Sequence, residues 1–183
     1  ENVYFILGTS SEFPVLSTVK SRAKRLDLVS FPQEQIERFI AENYRRTGAK
    51  EIAALSGGVL GRAQELAESS EAGEEDMALF ALNLSPAPVP LAAKKYSSRE
   101  ELGKFLPRLR LIYRDILMLK LGREDLLLAG AEAKILRRAA ARYSVAALVN
   151  AQELIGRAER DFKFNANAQA GIETLLFGIL EGR

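Results

Sequence analysis

The sequence predicts a mainly α-helical chain with a short β–α–β stretch at its N-terminal end. Three observations carry that expectation. From Ile36 onward, apolar residues recur at every third or fourth position, the spacing that gathers them on one helix face. Ahead of them, two short apolar runs at 3–7 and 26–29 lack that spacing and flank a stretch able to form one short helix. Glycines and prolines then divide the remainder into a three-helix unit over 31–70, a connecting helix and Pro-rich linker over 71–97, and a helical bundle over 98–183.

Val3-Tyr4-Phe5-Ile6-Leu7 is β-branched and aromatic without alternation, as expected of a strand covered on both faces in a parallel sheet. Gly8-Thr9-Ser10-Ser11 breaks it. Residues 15–25 are long enough for the crossover that parallel strands require, and 26–29 supplies the second strand. Such a pair is not stable alone, so residues 1–30 are expected to be the C-terminal edge of a larger sheet domain, and the chain a fragment of a longer protein.

In 31–70, Pro32 suits a first helical turn, and Ile36, Phe39 and Ile40 share a face. Gly48 marks an expected stop. Ile52 and Leu55 anchor a second helix, and Gly57-Gly58 turns the chain into a third. Beyond an acidic stretch, Met77, Phe80, Ala81 and Leu84 form an apolar helical piece. Ser85-Pro86-Ala87-Pro88-Val89-Pro90 is expected to be an extended, flexible boundary, because alternate prolines remove backbone donors.

In 98–183, Ser98 followed by Glu101 predicts a capping box, and Leu109, Ile112, Tyr113, Ile116 and Leu117 share a face of a helix ending near Gly122. Pro107 is expected to kink or break that helix. A helix over 131–142 follows. Ser144 is the expected N-cap of a helix bearing Leu148, Ala151, Ile155, Ala158 and Phe162. Asn167 caps a last one bearing Ile172, Leu175, Leu176 and Ile179, with Asn165 supporting the turn before it.

Composition limits the chemistry. The net charge of +2 implies no strong field for nucleic acid or acidic lipid. Its distribution is less even, since 94–142 holds 13 basic against 6 acidic residues and 63–93 holds six acidic residues and no Lys or Arg. Runs of this kind are ordinarily solvated helix faces. With no cysteine there are no disulfides or thiolate metal sites, which suits a reducing, cytoplasmic setting. With no histidine, the commonest general base and transition-metal ligand are missing. No apolar run approaches the roughly 18 residues that span a membrane.

Leu16-Ser17-Thr18-Val19-Lys20-Ser21-Arg22 resembles the clamp-loader stretch written Leu-x-Thr-(Ile/Val)-x-Ser-Arg-Cys, with Ala23 in place of the cysteine. Leu111-Ile112-Tyr113-Arg114-Asp115-Ile116-Leu117 is similar to the (Leu/Tyr)-Arg-Asp-(Ile/Leu)-Leu helix of the same proteins, and Phe164-Asn165-Ala166-Asn167-Ala168 to an Asn-x-Asn signature near their end. On these motifs nearly the whole chain resembles AAA+ clamp-loader subunits, most closely the delta-prime type of bacterial DNA polymerase III. The resemblance implies that 1–30 is the edge of an AAA+ nucleotide-binding domain, 31–70 its lid, and 98–183 the collar by which subunits pack in a ring.

It also implies roles for single residues. Arg22, preceded by Ser21, would be a trans arginine finger reaching the γ-phosphate of Mg-ATP held by a neighbouring subunit. Thr9 or Ser10 would occupy the sensor-1 position. Arg62, in Leu55-Ser56-Gly57-Gly58-Val59-Leu60-Gly61-Arg62-Ala63, would occupy the sensor-2 position. ATPase-type members carry Ser-x-Arg-Asp-Ala there, so Gly61-Arg62-Ala63 is closer to the delta-prime pattern, and Arg62 reads equally as a helix-surface arginine. Implied partners are the gamma/tau and delta subunits, through 98–183, with primed DNA and the sliding clamp in the full assembly, part of a DNA-directed DNA polymerase.

The residues support a finger without the name. Guanidinium is planar, always charged and able to grip two phosphate oxygens. The bland alternative is an exposed arginine among Lys20, Lys24 and Arg25. The chain has no Gly-x-x-x-x-Gly-Lys-(Ser/Thr) phosphate loop and no acidic pair suited to magnesium, so no ATP hydrolysis of its own and no bound cofactor or metal are expected. Two other readings stay open: an ATP-hydrolysing gamma/tau-type subunit, and a helical module that binds DNA through 94–142.

Overall fold

A computed structural model describes residues 3–9, 11–44, 48–68, 74–129, 133–162 and 167–182. They are mainly helical, and no strand forms among them. Two compact units result, residues 1–30 and residues 31–183.

Among the described residues the first unit holds a single four-residue helix, α1 (Ser17–Lys20). The expected strands at 3–7 and 26–29 have no regular secondary structure, and their large side chains are exposed. The reason is energetic. Two runs of five and four residues leave their outer edges and both faces unpaired, and three or more strands on a packed face are needed for a stable sheet.

In the second unit, α2 (Gln33–Asn43), α3 (Ala49–Ser56) and α4 (Leu60–Glu68) pack on one another around Ile36, Ile40, Ile52, Ala53, Ala63 and Ala67. Gly57 and Gly58 take left-handed backbone angles between α3 and α4 (φ 61° and 84°), which non-glycine residues adopt at a cost. Phe31 closes the group by donating its N–H to the Gly58 carbonyl at 2.8 Å. Gly48 does not follow the first helix directly. That helix ends at Asn43, and Gly48 (φ 92°) leads into α3.

The second core gathers α5 (Glu74–Asn83), α6 (Val89–Lys95), α7 (Arg99–Lys120), α8 (Ala133–Ala140), α9 (Val145–Asp161) and α10 (Ala168–Glu181). The segment expected to be an extended boundary is part of it. Residues 86–88 form a turn, α6 starts at once, and buried Val89, Ala92 and Ala93 join the core, with α6 packed on α10. Pro90 is in the first turn of α6, where no N–H is needed.

Pro107 likewise does not break α7, which continues through it for 22 residues. Leu102, Phe105 and Leu106 are buried before it, so the apolar face begins earlier than expected and holds the helix together across the lost hydrogen bond. α7 ends in a Schellman motif: Arg123 N–H reaches the Met118 carbonyl at 2.8 Å, Gly122 N–H reaches Leu119, and Gly122 has φ 75°. The Ser98, Ser144 and Asn167 side chains each accept from a backbone N–H three residues on, as their sequence context predicts.

Candidate functional site

Arg22 follows α1 in a tight turn. Its own N–H bonds the Val19 carbonyl at 3.1 Å, and the Ser21 hydroxyl donates to the Thr18 carbonyl at 3.2 Å. Both hydrogen bonds fix the backbone and leave the guanidinium exposed, without an ion pair among the described residues. Arg25 behaves differently: it meets Glu12 at 2.6 Å and Asp27 at 2.8 Å. The Asp27 hydrogen bond and charge, with Glu12 behind them, raise its already high pKa. Of two arginines three residues apart, one is occupied locally and the other is not.

Thr9 donates its hydroxyl to the Ser11 carbonyl at 2.7 Å and accepts the Ser11 N–H, closing a local turn. Ser10 and Asn165 lie outside the described residues. Arg62 belongs to the other unit, on the exposed side of α4. There it lines a cleft of about 170 Å³ with Glu65 and Leu66 of its own helix and Gly103, Lys104 and Pro107 of α7. Leu55 of α3 and Arg108 of α7 complete the lining of the cleft.

The pair Arg114–Asp115 does something that the sequence reading missed. Adjacent helix residues are expected to face different ways. Yet Arg114 Nη1 lies 2.6 Å from Asp115 Oδ1 and also donates to the Leu126 carbonyl at 2.8 Å. Asp115 is completely buried, and its second oxygen accepts the N–H groups of Leu128 and Ala129 at 2.8 and 2.7 Å. One pair thus latches the 126–129 loop onto α7. The signal was an aspartate inside an otherwise apolar face, a placement that requires hydrogen-bonding partners.

Much of the basic run at 94–142 is spent on internal contacts. Arg137 grips Glu124 with two hydrogen bonds at 3.0 and 2.8 Å, and Arg123 grips Asp125 at 2.9 and 2.8 Å. Those hydrogen bonds hold both carboxyls below their usual range and raise both arginines. Lys120 donates to the Ala140 carbonyl, Arg142 to Leu82, and Lys104 pairs with Glu100. The stretch therefore presents far fewer available cations than its composition suggests.

A second group of arginines, distant in sequence, meets between α7 and α9. Arg110 of α7 joins Val149, Gln152, Glu153, Gly156, Arg157 and Arg160 of α9 along an open groove of about 470 Å³, where Arg157 lies 3.8 Å from Glu153. Arg110 pairs with Glu159 at 2.6 Å, and Gln152 donates to the Arg110 carbonyl at 3.0 Å. Among the described residues no cluster of His, Cys, Asp or Glu is arranged to hold a metal ion, and no helix is long and apolar enough to cross a membrane. In comparisons with protein-family models, curated proteins and solved structures, nothing matches this chain.

Proposed function

We propose that the chain is a delta-prime-like clamp-loader component of DNA replication that completes a neighbour's ATP site with Arg22. The observation that carries this reading is the difference between the two arginines: Arg25 is held by Glu12 and Asp27, whereas Arg22 stands exposed with no ion pair among the described residues. A guanidinium left uncommitted beside one that is committed is available for a phosphate outside its own chain.

In this reading residues 1–30 are the edge of an AAA+ domain, and their exposed apolar runs are covered by the remainder of that sheet. The three helices α2–α4 serve as its lid. The bundle, 98–183, packs as a collar beside gamma/tau and delta subunits, fixing the position of Arg22 against Mg-ATP in the next subunit. There the guanidinium offsets the charge that develops on the transferred phosphoryl group, an effect of roughly 10³- to 10⁵-fold where arginine fingers have been removed. Ring closure and completion of the ATP site are then thermodynamically linked, each stabilising the other. Gly61-Arg62-Ala63, where ATPase-type members carry Ser-x-Arg-Asp-Ala, favours a non-hydrolysing role over that of a gamma/tau-type ATPase.

The test is Arg22→Ala in the assembled loader, with ATP turnover and clamp loading as readouts. Turnover at the adjoining site should collapse while assembly, followed by size-exclusion chromatography, is kept. Unchanged turnover in an intact ring would sink the arginine-finger reading, and failure of the wild-type chain to join such a ring would sink the clamp-loader assignment itself.

A further inference from the structure

Within residues 3–30 very little holds the backbone around Arg22. α1 has no buried residue, and a helix of four residues is too short to be stable by itself. The hydrogen bonds around it reach no further than four residues along the chain, whether they join backbone groups or involve the Thr9, Ser11 and Ser21 side chains. Among the described residues of this unit one ion pair reaches further. Arg25 Nη1, beyond the C-terminal end of α1, lies 2.6 Å from Glu12 Oε1, ahead of its N-terminal end. A different nitrogen of the same guanidinium, Nε, donates to Asp27 Oδ1 at 2.8 Å.

We propose that Arg25 is a positioning residue for Arg22: its grip on Glu12 closes residues 12–25 into a loop that holds α1 and presents the Arg22 guanidinium outward. The role rests on the reading of Arg22 as the arginine finger. Joining the two ends of a segment removes conformations from everything between them, and Arg22 lies inside the closed segment. Its own N–H bonds the Val19 carbonyl and the neighbouring Ser21 hydroxyl bonds the Thr18 carbonyl, so whatever holds α1 also holds the Arg22 backbone. The planar fork of arginine can meet Glu12 and Asp27 through separate nitrogens, with Asp27 fixing the side-chain direction that Glu12 needs. Placement matters because a guanidinium assists phosphoryl transfer only when it meets the transferred group in the correct geometry. All three side chains are more than half exposed, so the clip is weak, and its loss should cost a few-fold rather than the collapse expected at Arg22 itself.

Two measurements separate this role from the reading on which it rests. On the whole chain alone, trypsin cleavage after Arg22 follows the population in which the enclosed backbone has opened. Glu12→Gln frees the far end of the clip and leaves every trypsin site in place, so it should speed that cleavage by roughly 2- to 5-fold. Asp27→Asn leaves the loop closed and should change it less. Glu12→Gln combined with Arg25→Gln should be no faster than the faster single variant, since both remove the same contact. In the assembled loader, Glu12→Gln and Arg25→Gln should each lower kcat at the adjoining ATP site by roughly 2- to 5-fold, with KM for ATP and ring assembly kept. Unchanged cleavage after Arg22 in Glu12→Gln would overturn the clip. Turnover that collapses in Arg22→Ala but is untouched in Glu12→Gln and Arg25→Gln would overturn the positioning role and leave the finger standing, whereas turnover untouched in Arg22→Ala would remove both.

Discussion

Residues 3–30 and residues 31–183 treat apolar surface in opposite ways. In the longer region, thirty-odd apolar residues are buried in two cores, and even buried Asp115 has every oxygen occupied. In the shorter one, no residue of α1 is buried, Ile6 is 97% exposed, Phe13 96% and Leu28 90%. The hydrophobic effect acts on both alike, so the difference lies in what each can pack against. Amphipathic helices bring their own partners by folding back on one another. An apolar strand depends on neighbours, and the sequence of 3–30 is strand-like. The long region thus buries its own apolar surface, and the short one leaves its large apolar side chains exposed.

The largest expected effect tests that contrast directly. Ile116, completely buried on α7, and Ile6 carry the same side chain in opposite settings. Ile116→Ala should lower unfolding stability by roughly 2–5 kcal/mol through lost burial and the cavity left behind. Ile6→Ala should stay within about 0.5 kcal/mol, as exposed positions do. Urea denaturation of the two variants measures both. A substantial loss at Ile6 would show that residues 3–7 are packed in solution and would remove the contrast.

A smaller effect sharpens the account of how the longer region satisfies itself. Asp115→Ala removes the acceptor for the Leu128 and Ala129 N–H groups and the partner of Arg114. Hydrogen bonds to a buried charge are worth about 1.5–3 kcal/mol, but Arg114 is about a third exposed and turns to water when released, so a net loss of roughly 2 kcal/mol is expected. Amide exchange should accelerate at 126–129 well before it does in α9. Uniform acceleration across the bundle would mean that the pair supports the whole core rather than one loop.

What the sequence disclosed follows from how local each interaction is. Ser98, Ser144 and Asn167 were readable as caps because each acts within three residues of itself. The face of α7 was readable because 3.6-residue periodicity is a property of the helix alone. Residues 3–7 and 26–29 show composition without outcome, since β-branched and aromatic content reports suitability for a sheet but not the presence of one. The Arg114–Asp115 latch escaped because the rule for adjacent residues describes the direction of Cβ, and a guanidinium on a long stem can fold back past it. The arginine groove escaped because Arg110 and Arg157 come from different helices, and only the packing of α7 on α9 joins them. Pro90 and Pro107 were read as breakers because proline's local cost is visible in sequence, while the burial that outweighs it is not.

The smallest effect concerns the ion pairs that fasten the loop after α7. Hydrogen bonds from Arg137 to Glu124 and from Arg123 to Asp125 hold both carboxyls below the range they have in an unfolded chain. Through this range the unfolded chain therefore binds more protons than the folded one, and these groups make stability rise with pH. Their contribution is complete above the unfolded carboxyl value, near pH 4, and is lost as pH falls through the lower folded values. Both pairs are more than half exposed, so the contribution is small and screened by salt. Urea midpoints of wild type and Glu124→Gln, compared between about pH 6 and pH 3, isolate this contribution from the other carboxyls. The variant should lose less stability on acidification, and the difference should shrink in added salt. The Arg25 cluster makes similar pairs in residues 3–30, but no residue of α1 is buried for them to support. Asp27→Asn should accordingly leave the unfolding midpoint unchanged, and a shift as large as that of Glu124→Gln would place folded structure in the shorter region.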